Sequence, residues 1–157
     1  MKKLLIIPML LIASYTFAQI ESFDTEYIEG IKKDLKGTFK EIVEDNLKLN
    51  EDQTKIFWPV YDEYMAARSP IFEERVKITE DYMMNYYSLD DETAKDLLNR
   101  SVQLNENLLK VRKEYLDKML EVLPAPLVGK FFQLDMRISA LIDLVRMSST
   151  PLVREED

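Results

Sequence analysis

The sequence predicts an all-α fold of four helices, two of them long and antiparallel, paired as a curved, elongated helical hairpin. Three observations carry that expectation. Only three of the 157 residues are Gly and six are Pro, so the chain has few places to turn. Apolar residues recur every three or four positions over long stretches, which is the helical period. No stretch alternates apolar and polar residues as a half-buried strand would.

The chain opens on Lys2 and Lys3, followed by an apolar run from Leu4 to Phe17. Thr16-Phe17-Ala18 places small side chains three and one residues before a cut ahead of Gln19, the pattern of a secretory signal peptide. The run is about fourteen residues, short of the roughly twenty that span a bilayer as a helix. Residues 1–18 are therefore expected to be removed on export, leaving 19–157 as one all-helical periplasmic domain. Secretion beyond the cell is the other exported destination. No Cys follows the cut, so neither a lipid anchor nor a disulfide framework is expected.

The first predicted helix, near Thr25–Leu47, carries Ile28, Ile31, Leu35, Phe39, Ile42 and Val43 on one face. The second runs near Glu51–Tyr87, the third near Asp91–Leu123 and the fourth near Pro126–Met147. Ser88–Asp90 is the turn between the second and third. Pro124-Ala125-Pro126 links the third to the fourth, with Pro126 suited to a first helical turn. At about 1.5 Å per residue the two long helices are rods of roughly 50 Å, too long for a compact domain and suited to an extended hairpin.

The second helix contains Pro59 and Pro70, yet Phe57, Tyr61, Tyr64, Phe72, Tyr82 and Tyr86 keep to one face throughout. A helix that preserves its phase across prolines is kinked rather than ended. Both prolines lie opposite that face, so both kinks are expected to curve it inward, making the six aromatics a candidate partner-binding surface. On the third helix, Leu97, Leu104, Leu108, Val111, Tyr115 and Val122 form one stripe. Leu98, Val102, Leu109, Leu116, Leu120 and Leu123 form a second beside it. Together they cover about half the circumference, more than an ordinary surface helix buries. Contacts to both neighbouring helices are the simplest way to cover them. Apolar surface left over predicts a homodimer.

Charge and composition remove several functions. Without Lys2 and Lys3, 19 basic residues face 29 acidic ones, a net charge of about −10. Nucleic acid and anionic lipid both demand a basic footprint, so neither is an expected partner. With no His and no Cys, imidazole and thiolate mechanisms and the usual zinc and copper ligand sets are gone. No glycine-rich loop is present to cradle phosphate. No catalytic residue, cofactor or metal site is expected, and the chain reads as a binding protein rather than an enzyme.

Leu49-Asn50-Glu51-Asp52-Gln53 has the form of a capping box, with Asn50 and Gln53 each satisfying the other's backbone amide. Leu89-Asp90-Asp91-Glu92-Thr93 opens the third helix in a similar way, though Thr93 is too short to reach back. With the signal peptide, these segments resemble the Leu-Thr-x-x-Gln motif of the Spy/CpxP-type family of periplasmic chaperones and envelope-stress regulators. Asn50 stands where that family has Thr. Phe57-Trp58-Pro59-Val60-Tyr61 and Leu123-Pro124 extend the resemblance. Phe131-Phe132-Gln133-Leu134-Asp135 and Pro151-Leu152-Val153 are similar to an uncharacterised bacterial branch of it. The resemblance implies a dimer of helical hairpins that binds unfolded proteins or a stress sensor on an amphipathic concave surface. The alternative is a structural, accessory dimer with one dedicated envelope partner and no general clients.

One polar pair stands out. Arg112 sits between Leu108 and Leu116 in the apolar sector of the third helix, and Asp135 flanks the apolar stripe of the fourth. A tight turn near Leu123-Pro124 pairs residues whose numbers sum to about 247, which sets Arg112 level with Asp135. A buried guanidinium without a partner is costly, so these two are expected to form an ion pair that pins the register of the hairpin.

Overall fold

The structure is a computed structural model describing residues 38–154. Those residues form four helices and no strand: α1 (38–47), α2 (Glu51–Asn85), α3 (Asp91–Val122) and α4 (Ala125–Ser149). The predicted signal peptide, and the first helix from Thr25 through Gly37 with Ile28, Ile31 and Leu35, lie outside the described residues.

Local chemistry sets the helix ends. Lys48 adopts the left-handed conformation, φ 47°, and so ends α1 in the position where glycine is usually found. Asn50 then starts α2: its side chain accepts from the Gln53 amide at 2.9 Å, while Gln53 Oε1 accepts from the Asn50 amide at 3.1 Å. Asp90 caps α3 by accepting from the Thr93 amide at 2.7 Å, which holds its carboxyl below the usual range. Leu123 and Pro124 are extended, and Pro126 occupies the first turn of α4, where its missing N–H has no helical partner to lose. Pro59 and Pro70 lie inside α2, both exposed, so the helix continues through them with their rings turned to water.

The long helices α2 and α3 run antiparallel. Arg100 meets Glu74 at 2.8 Å and Asp81 at 2.7 Å, and further along Tyr64 packs on Tyr115, ring centroids 5.4 Å apart. α4 returns antiparallel to α3 and therefore parallel to α2. Arg68 reaches Asp135, Arg75 reaches Asp143, and the Tyr82 hydroxyl donates to the Pro151 carbonyl at 2.9 Å. α1 covers one end: Phe39 packs on Tyr61, Lys40 lies over the Trp58 ring, and Lys130 donates to the Asn46 carbonyl.

The core is concentrated at that end. Val43, Phe57, Tyr61, Tyr64, Met119, Val128 and Phe131 are all essentially inaccessible. Each of the Val, Phe and Met side chains among them contributes about 1.5–3 kcal/mol on burial. Toward the α2–α3 turn, Leu97 and Leu104 are the buried apolar side chains, and arginine–carboxylate pairs fill the space between helices.

Candidate functional site

The expected pair is present as part of a larger group. Arg112 Nε donates to Asp135 Oδ2 at 2.9 Å, and Arg68 donates from the other side to Oδ1. Both guanidiniums also donate to Ser139 Oγ, Arg68 at 3.1 Å and Arg112 at 3.0 Å. Asp135 is fully buried, while the arginine side chains keep 17% and 24% of their surface. One turn of α4 thus offers a carboxylate and a hydroxyl to arginines from both other long helices. Arg68 and Ser139 were not singled out in the sequence. The signal for Arg68 was there, because at 100° per residue it falls within the stripe of Phe57, Tyr61 and Tyr64. Arg75, which bonds Asp143, falls on the same stripe.

The group is roofed by aromatic rings. Arg68 lies over both Phe39 and Tyr64. The hydroxyls of Tyr61 and Tyr64 are buried without a well-formed hydrogen bond among the described residues, although the Arg112 guanidinium lies close enough to the Tyr64 hydroxyl to favour its ionised form. Burial, reinforced by the Asp135 charge, raises the Tyr64 phenol from 10.0 to about 12, against the pull of Arg68 and Arg112. Burial raises Tyr61 as well. Such an arrangement ties α4 to both long helices and fixes the three in register.

The aromatic face of α2 is a corrected expectation. Phe57, Tyr61 and Tyr64 are 1%, 1% and 0% exposed, packed edge-on against Phe131, and present nothing to a partner. Phe72, Tyr82 and Tyr86 are half-buried. The helical spacing places these residues on one face, and α1 and α4 close over its first half. Leu49 and Leu89, beside the two caps, are half-buried too.

Apolar surface is left instead on α3. Its first stripe is largely covered, with Leu97, Leu104 and Tyr115 buried, though Val122 is 49% exposed. The second stripe is covered only in part: Leu123 is buried and Leu116 half-buried, but Leu98, Val102, Leu109 and Leu120 are 67%, 60%, 68% and 44% exposed. α4 packs along α3 on the side that carries Arg112 and reaches α2 through the long side chains of Arg68 and Arg75, which leaves these four residues of α3 uncovered. Leu141 and Val145, on the side of α4 that carries Leu134 and Ile138 toward α3, are also exposed. In the numbering that pairs Arg112 with Asp135, Val145 lies level with Val102, so these residues border one seam. Elsewhere, a groove of about 530 Å³ between α2 and α3 has Ala67, Pro70, Ile71, Leu104 and Val111 in its lining, with Arg100 and Glu114.

Among the described residues, no group of three or more acidic side chains converges as a metal site would. No helix among them is long and apolar enough to cross a membrane. Compared with known proteins, the chain matches no family model, no curated protein and no solved structure.

Proposed function

We propose that this is an exported, non-enzymatic binding protein of the periplasm, chaperone-like or regulatory in envelope stress, acting through an amphipathic helical surface. The observation that carries the reading is contiguous apolar surface left open on an all-helical, strongly acidic chain. Patches beyond a few hundred Å² mark interaction sites. The α2–α3 groove adds an apolar floor beside charged side chains, suited to an apolar segment of a protein partner. The helix-start motif at Leu49–Gln53 and the basic, apolar opening of the chain agree with the family resemblance.

The test is suppression of aggregation of unrelated unfolded proteins at sub-stoichiometric to equal ratios. Suppression abolished by Ile71→Glu or Val111→Glu in the groove is expected. Protein that starts at Gln19 in the soluble envelope fraction is the expected mature form; full-length protein in the cytoplasm would overturn the assignment. The acidic charge favours a second reading, an accessory protein with one dedicated envelope partner, because like charge repels most acidic clients. That reading expects no suppression and one stoichiometric partner in a pulldown from envelope extract.

A further inference from the structure

We infer that the outer face of α4 docks a single acidic, amphipathic helix of a partner protein. At 100° per residue Gly129, Gln133, Met136, Ala140, Leu144 and Met147 fall within about 80° of one another. Their steps of four, three, four, four and three residues are those of a seam between two helices. All six are exposed, Met136, Leu144 and Met147 at 53%, 61% and 57%. The stripe lies about 120° around the helix from Leu141 and Val145, so it is separate from the apolar residues beside α3 and from the α2–α3 groove. A helix that is apolar on opposite faces is suited to burial on both, yet only the side with Val128 and Phe131 is covered. Gly129 points to a close approach. A Cβ there would meet no atom within 4 Å, so nothing in the fold requires glycine, and glycine inside a helix is less stable than alanine. With Ala140 further along the stripe, it lets another helix come near the backbone.

Charge selects the partner. The chain as a whole carries −8, yet every exposed residue of α4 is neutral or basic. The two carboxylates of α4 face inward, Asp135 to Arg68 and Arg112, and Asp143 to Arg75. Lys130 and Arg137 are exposed seven residues apart on one flank of the stripe, the position from which paired helices exchange ion pairs. Lys130 donates to the Asn46 carbonyl, whereas Arg137 has no hydrogen bond or ion pair among the described residues. A partner helix with glutamates seven apart answers both cations, and a basic helix meets them with like charge. The three large side chains expose on the order of 300 Å², a small patch that fits a reversible complex. Such a partner is the kind the accessory reading calls for, and the inference rests on that reading while adding the surface and its chemistry.

The test titrates the purified full chain with two synthetic helical peptides. Both carry leucine along the seam, and they differ only in having glutamate or lysine at the flanking positions seven residues apart. The glutamate peptide is expected to bind, and the lysine peptide at least about tenfold more weakly. Arg137→Glu is expected to reverse that order. Gly129→Leu is expected to weaken the glutamate peptide at least about tenfold while raising the thermal midpoint, because leucine is the better helix former. Binding that falls as stability rises separates lost docking from a damaged fold. Equal affinity for the two peptides, no binding of either, or binding indifferent to Arg137→Glu each overturns the inference. So does binding lost with Ile71→Glu in the groove, or Arg137-dependent attachment to phosphatidylglycerol vesicles in a flotation assay. A stoichiometric partner from envelope extract that still holds the Arg137→Glu and Gly129→Leu variants keeps the accessory reading and overturns this one.

Discussion

Among the described residues Asp135 is the charged side chain that water does not reach, and it answers two arginines. Asp135→Ala would leave two guanidiniums facing one hydroxyl, and a cost of about 3–5 kcal/mol in chemical denaturation is expected. Arg112→Ala is expected to cost less, because Arg68 still satisfies Asp135 and the lost guanidinium is partly solvated. Replacing all three with Met, Met and Leu removes the charges together and should recover most of the loss. Losses that simply add would show that the three do not act as a unit. Tyr64 gives a second test, by pH. Its phenol ionises near 10 in the unfolded chain and near 12 in the fold, so the folded state holds the proton more tightly. That stability is fully present below pH 10 and is lost as pH rises through 12, on the order of 2 kcal/mol in all. Tyr64→Phe, followed by denaturation from pH 9 to 12, is expected to make the decline shallower, with the buried Tyr61 phenol accounting for what remains.

At the scale of the helices, the ends are where single residues decide. Asn50→Ala removes the acceptor of the Gln53 amide, leaves the residue-50 amide free to donate to Gln53 Oε1, and should cost about 1 kcal/mol, read from the thermal midpoint. Lys48→Gly is expected to act the other way, adding up to about 1 kcal/mol, because glycine holds φ 47° without the Cβ penalty that lysine carries. These ends were legible from the residues alone: Asn50 and Gln53 name the start of α2, and Asp90 that of α3. The level of Arg112 with Asp135 was legible for the same kind of reason, since a tight turn fixes the register of two helices adjacent in sequence. What was not legible is the relation between helices separated by a third. Arg68 and Asp135 lie on α2 and α4, whose register is set only after both pack on α3. For that reason a wheel assigned Tyr61 and Tyr64 to one face, yet nothing in it says that α1 and α4 cover that face while α3 keeps Leu109 in water.

For the molecule as a whole, charge is the dominant feature that packing does not cancel. The chain carries a net charge of −8, and an excess of that sign destabilises a compact state through self-repulsion. Opposing this are surface pairs such as Lys95–Asp91, both partners over 70% exposed, whose individual worth is near zero to 1 kcal/mol. Salt weakens both terms, but unequally. At 0.1 M the screening length is about 10 Å, enough to damp repulsion spread over long rods, while the Arg68–Asp135–Arg112 group lies inside the protein and is screened far less. The expected result is therefore a thermal midpoint that rises between low salt and about 0.3 M NaCl, where a fold held mainly by exposed ion pairs would show a fall.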